Sequence, residues 1–426
     1  MRSHDRLHSC GYECDDATPA TEKTSSTTPL GGPRRRLTGT PDVLVIGGGV
    51  LGSAVAVHLL RETSSLDVVV IEPDPTYALA ATPRASGGIR QLFTKPENIL
   101  LSQYTHEVIR DWANFARADG EDPPDLGWKP QGYLFIAGPE NANALAANLA
   151  TQQAHGVRAD WLSPTDLAKR YPYLATDDLG GGVLSPDDGW IDPSALLDGL
   201  RRKAIDLGAQ YVKDRVRHLR TQNSRVNAAE LESGAVLRAG TVVNTAGTWA
   251  PDLAAQVGMN VPVEPMRRFE HYIEVPADLG KMPFLKDPAG LAARPEGPGL
   301  SVGLVDFAHP GGFNLDLDHG YFDQHVWPAL VHRMPILDTL RLRSTTVGLY
   351  DQNRLDGNPI IGNWPGRLDN FHLATGFSGH GLMHALGVGR GLAELILHGR
   401  YRTIDLHPLG YERILARRPY AEEGIR

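Results

Sequence analysis

Residues 43–46, Val-Leu-Val-Ile, are an unbroken apolar run of β-branched and aliphatic side chains. A run that short predicts a strand buried on both faces, the kind found inside a parallel sheet. Glycines follow at 47–49, and then an apolar stretch over 50–60 that is long enough for a helix. Residues 67–71 repeat the strand signal and end at Glu72. Strand, helix and strand make a βαβ unit. Beyond it, 100–116 reads as a helix, 132–136 as a strand, and the Ala-rich 141–153 as a helix. Ser163 with Asp166 three places on predicts a capped helix start. Residues 193–205 read as a helix and 241–243 as a buried strand. Between 263 and 347, strand-like runs such as 272–275 and 300–305 alternate with loops, and a helix over 323–332 falls among them. A strand at 371–374 and a helix at 388–397, entered through a glycine-rich turn, close the pattern. No internal repeat is visible.

Residues 1–40 lack this patterning. They are rich in Thr, Ser, Pro, Gly and charge, which predicts a disordered tail. Cys10 and Cys14, the only cysteines, both lie there. The patterned part therefore has no disulfide, thiolate nucleophile, thiolate zinc site or iron–sulfur cluster, which fits a reducing, cytoplasmic setting. Acidic Asp5, Glu13, Asp15 and Asp16 argue against a transit peptide, and no apolar secretory core is present. The length of 426 residues allows two packed units. A net charge of −8 argues against nucleic-acid binding. No apolar run is long enough to predict a spanning helix.

Gly47-Gly48-Gly49-Val50-Leu51-Gly52 matches G-x-G-x-x-G, and its place between strand and helix, with Glu72 ending the next strand, gives the match its meaning. Gly47 permits the tight turn, Gly49 lets a diphosphate approach the backbone, and Gly52 lets helix and strand pack closely. The unpaired N–H groups of the helix start attract phosphate. Glu72 is placed to accept ribose hydroxyls. The turn alone does not separate FAD from NAD. No second such turn follows a strand, so electrons are expected to come from the substrate itself.

With three later segments, the turn resembles the D-amino-acid oxidase superfamily of flavoproteins, in its glycine oxidase and sarcosine oxidase branch. Those segments are Ser86-Gly87-Gly88-Ile89-Arg90, Asn244-Thr245-Ala246-Gly247-Thr248-Trp249 and Gly376-Phe377-Ser378-Gly379-His380-Gly381. Residues 96–99, 321–328 and 401–406 resemble one subgroup of that branch. The likeness implies an α/β chain: a Rossmann-like FAD-binding domain from 41–130, 181–262 and 341–415, and a substrate domain on an antiparallel sheet from 131–180 and 263–340. Residues 416–426 are left as a C-terminal tail. It also implies that the backbone of Val216 holds the adenine, that Ala246, Gly247 and Trp249 line the cofactor path, that Ser86, Gly87, Gly88 and Arg90 approach the flavin ring, and that Gly379, His380, Gly381, Leu382 and Met383 face its pyrimidine end. Relatives that bind flavin covalently use a cysteine, matched here by Gly348, or a histidine, matched by Arg84, so non-covalent FAD is expected. The oxygen-activating lysine of sarcosine oxidase falls on Ser301, and the lysine that grips substrate carboxylate falls on Met383.

Amine oxidation by flavin needs position and field more than acid–base groups, since hydride passes from the substrate α-carbon to flavin N5 and the imine hydrolyses. Arg90 is the candidate charge near the ring, the alternative being a surface or phosphate-side arginine. His380 is a candidate flavin neighbour; its spacing to His384 lacks the carboxylate of a metal site, and no metal is expected. His271, Arg267 and Arg268 are candidates to meet a substrate carboxylate, or else lie exposed on a sheet face. Tyr133 and Tyr350 either cap the pocket or sit in the core. No G-x-S-x-G elbow is present, which disfavours a hydrolase. Three functions fit: oxidation of a small amine or amino acid, secondary amines ahead of primary ones, with oxygen or another acceptor; oxidation of a 2-hydroxy acid with His271 or His380 as base; and a flavin-bearing assembly protein with a fixed protein partner.

Overall fold

The strand Val43–Ile46 (β1) is buried at every position because it is central in a six-stranded sheet. It pairs in parallel with Val68–Glu72 (β2) on one side and Thr241–Asn244 on the other. Gln210–Lys213 extends the sheet beyond β2, and Leu368–Thr375 extends it beyond Thr241–Asn244. Only the outer strand Ile360–Trp364 runs antiparallel. The computed structural model in which these contacts are seen describes residues 40–307 and 311–424. The tail expected at the N-terminus, with Cys10 and Cys14, lies outside them.

The helix Val50–Glu62 (α1) is buried from Val50 to Leu60 because it has sheet on one side and the helices Gly381–His398 and Pro193–Asp206 against the others. A helix buried all round needs no polar face, and here even Ser53 and His58 are buried with the apolar positions. The helix Gly381–His398 begins seven residues before the expected 388. Its glycines disfavour a helix in isolation, but burial over most of its length overrides propensity. The helix expected over 100–116 is two, Pro96–Arg110 and Trp112–Ala116. Proline at the first position of the former sets its start.

The second sheet has eight strands, in the order Arg341–Asn353, Val263–Glu274, Gly299–Leu304, Leu291–Glu296, Phe284–Lys286, Tyr133–Ala137, Gly181–Ser185, Asp160–Leu162. Every neighbouring pair is antiparallel except Phe284–Lys286 with Tyr133–Ala137. Two boundaries are corrected by this register. Gly181–Ser185 pairs with Tyr133–Ala137, and Arg341–Asn353 pairs along the whole of Val263–Glu274, so both belong to the substrate sheet and not the cofactor domain. Residues 417–424 are no free tail either: the Glu422 carboxylate accepts from Asn98 Nδ2 at 2.6 Å and Tyr420 Oη donates to Glu97 at 2.9 Å. Among the described residues no helix is long and apolar enough to cross a membrane.

Candidate active site

One cavity of about 670 Å³ runs from the glycine turn to the inner face of the second sheet. At its first end Gly47 takes a left-handed φ of +96°, and its N–H donates to Ile71 O at 2.9 Å. A Cβ on Gly52 would lie 1.9 Å from Gly47 O, so only glycine fits there. Gly49 is the N-cap of α1 and supplies no side-chain cap, while Gly49, Val50 and Leu51 line the cavity. The first-turn N–H groups are therefore left for a ligand. Glu72 Oε2 accepts from Gly48 N and Oε1 from Asp74 N, both at 2.9 Å. Burial pushes this carboxyl up, and those backbone N–H groups oppose the shift. Val216, Ala246, Gly247 and Trp249 line the next stretch.

Toward the other end stand Ser86, Gly87, Gly88 and Arg90. Arg294 Nε donates to Ser86 O at 2.6 Å and holds this segment against the substrate sheet. The Arg90 side chain is buried, not on the surface. Its guanidinium lies 3.9 Å over the Phe93 ring and 5.0 Å over Phe135, with Nη2 3.2 Å from His380 Nε2. Burial and then Arg90 push the His380 imidazole well below its usual range, so it is neutral. Its Nδ1 is buried with no hydrogen-bond partner among the described residues.

The turn at 376–379 is fixed by a residue that pattern reading passed over. Asp351 Oδ2 accepts from Gly376 N at 2.8 Å and Phe377 N at 3.1 Å, and burial raises its carboxyl to about 6. Gly379, His380, Gly381, Leu382 and Met383 then line the cavity, with Tyr350 alongside. The Arg268 guanidinium sits 4.9 Å over the Tyr350 ring. Arg84 donates to Val347 O and packs against Gly348, so the two positions lie side by side with neither a cysteine nor a histidine.

The inner face of the second sheet adds Tyr133, Arg268, Glu270, Phe284 and Lys286 to the lining. Lys286 and Glu270 were not picked out in the sequence. Ser301 Oγ donates to Glu270 Oε1, and burial raises the Glu270 carboxyl. The Lys286 side chain makes no hydrogen bond or ion pair with any described residue. Burial, then Arg90 and Arg268, push it down to about 7. Arg267, whose Nη1 donates to Asp316 O at 3.0 Å, is absent from the lining, and the expected site residue His271 is turned the other way. Its neighbours Arg268 and Glu270 alternate with it along the strand, so it points to the opposite face. There it meets Phe322, at 5.0 Å between ring centroids, and Tyr321, while Nδ1 pairs with Thr345 Oγ1 at 2.9 Å.

A glycine turn with exposed N–H donors, a carboxylate at the ribose position and a cationic far chamber in one cavity fit FAD along its length. The family model for FAD dependent oxidoreductases (DAO) matches residues 42–395, and the chain belongs to that family. It is 34% identical over 410 residues to FAD-dependent oxidoreductase domain-containing protein 1 of Bos taurus, across 87% of this chain and 84% of that protein. It is 31% identical to the mitochondrial sarcosine dehydrogenase of Mus musculus, across 87% of this chain but 41% of that longer protein. Among solved structures, L-proline dehydrogenase from P. horikoshii superposes with a TM-score of 0.78 at 25% identity, over 88% of this chain and 98% of that one. Glycine oxidase from Geobacillus kaustophilus shares the fold, with a TM-score of 0.73 at 22% identity over 87% and 98%. The chain is thus an FAD-dependent oxidoreductase, and its relatives include sarcosine dehydrogenase.

Proposed function

We propose that the chain oxidises a small amino acid, a secondary amine such as an N-methyl amino acid ahead of a primary one. The observation that carries this reading is the charge of the far chamber, where the guanidinium groups of Arg90 and Arg268 line the cavity with Glu270 as the carboxylate neighbour. A carboxylate-bearing substrate is drawn into such a chamber and oriented by it. Bound FAD supplies a two-electron acceptor. Arg268 and Arg90 hold the carboxylate end, Tyr133, Phe284 and Tyr350 form apolar walls that exclude water, and the cations stabilise negative charge gained on reduction. Sarcosine dehydrogenase among the relatives supports the substrate class.

Anaerobic mixing of the holoprotein with a panel of N-methyl, cyclic and primary amino acids tests the reading. Bleaching of the flavin band by one or more members is expected. A flavin band untouched by the whole panel, with 2-hydroxy acids bleaching it instead, overturns it. A separate outcome concerns attachment: acid precipitation is expected to leave the pellet white and the supernatant yellow, because neither Gly348 nor Arg84 can form a bond to the ring.

A further inference from the structure

Lys286 is a basic side chain of the chamber with nothing yet assigned to it. It sits on the short strand Phe284–Lys286, paired with Phe135 on one side and Ala292 on the other. Alternation puts Phe284 and Lys286 on the cavity face, while Leu285 enters the core of the opposite face. The Phe135 ring beside it carries the Arg90 guanidinium. Tyr133 faces it from the same neighbouring strand, Arg268 and Glu270 from Val263–Glu274, and His380 from the glycine turn. Arg294, on the strand that carries Ala292, is occupied with Ser86 and Glu296.

Resting on the amino-acid oxidation proposed above, we propose that Lys286 is the proton acceptor of the active site: its neutral amine takes the proton that the substrate ammonium group must lose. The balance closes. The substrate C–H bond breaks with its electron pair going to FAD, the C–N bond becomes double, and the proton leaving nitrogen goes to Lys286 Nζ. The chamber gains one negative charge on the reduced flavin and one positive charge on Lys286, so its net charge is unchanged. That matters in a buried site, where an uncompensated charge is costly. Burial, and then Arg90 and Arg268, favour the neutral amine of Lys286 against the opposing pull of Glu270, and new negative charge in the chamber favours its protonated form. Tyr133 is held protonated by burial and cannot serve as the base, and His380 already accepts from Arg90.

The same coupling is read without any substrate. Each proton taken up with the electron pair changes the reduction constant tenfold per pH unit, about 30 mV. Equilibration of the holoprotein with a reference dye between pH 7 and 9 is expected to give about 60 mV per pH unit, one proton for the flavin and one for Lys286. Lys286→Met and Lys286→Arg are expected to give about 30 mV per pH unit, with FAD content checked by absorbance, and Glu270→Gln is expected to keep the wild-type slope. A one-proton slope in the wild type overturns the proposal even if the methionine variant does not fold. So does a two-proton slope surviving in either Lys286 variant, or lost in Glu270→Gln. A Lys286-dependent slope with no amino acid able to bleach the flavin would instead sink the substrate reading and leave the proton site standing.

Discussion

His58, His372 and His384 are buried with ring nitrogens that lack partners among the described residues. Burial lowers His58 and His384 to about 3 and His372 to about 4. In the unfolded chain each titrates near its ordinary value, so the unfolded state binds more protons once the pH drops below about 6.5. Stability contributed by these neutral rings is present above that pH and is lost as pH falls toward their folded values. Each is expected to cost roughly 2 kcal/mol at pH 5. Urea melts of the holoprotein at pH 7.5 and pH 5 check it, and a midpoint no lower at pH 5 contradicts it. Single residues were legible in the sequence where a motif named them. Gly47, Gly52 and Glu72 stand where the turn requires, whereas Lys286 and Glu270 belong to no motif. Lys286 becomes a site residue only because a three-residue strand is bracketed by partners at 133–137 and 291–296, a pairing no local pattern contains.

At the scale of elements, the glycine turn between Leu368–Thr375 and Gly381–His398 depends on a strand of the other sheet. Asp351, near the end of Arg341–Asn353, holds the N–H groups of Gly376 and Phe377, and Asn353 N donates to Ser378 Oγ at 3.0 Å. Asp351→Ala leaves two buried donors unpaired and is expected to cost about 2–4 kcal/mol. Asp351→Asn keeps a carbonyl acceptor and is expected to recover much of that. Chemical denaturation of both variants with FAD bound compares them, and equal losses would contradict the acceptor role. Strands and helices of the first βαβ unit were readable because each is buried on all sides and bounded by glycine or charge. The long ribbon of Val263–Glu274 and Arg341–Asn353 was not. Val263–Glu274 mixes buried with half-buried positions, Arg341–Asn353 opens on a mostly exposed stretch, and only their pairing across the ladder distinguishes them from loop.

For the whole molecule, the cavity is closed by chain from far apart in sequence. Glu422 lines it and is held through Asn98, and Tyr420 N donates to Asp356, whose carboxylate also pairs with Arg413. Truncation after residue 416 removes these contacts and is expected to weaken FAD binding about tenfold, a change of roughly 1.4 kcal/mol. Flavin titration of the truncated apoprotein measures it, and unchanged affinity would show the C-terminal segment to be irrelevant. The six-stranded sheet has a consequence for how the chain comes into being. β1 is complete only when Thr241–Asn244 lies beside it, that strand only when Leu368–Thr375 lies beside it, and α1 only when Gly381–His398 covers it. A ribosome has made nearly the entire polypeptide before residues 43–62 can find all their lasting neighbours. The nascent phosphate loop therefore spends most of translation unfinished, its apolar strand and helix in need of shelter.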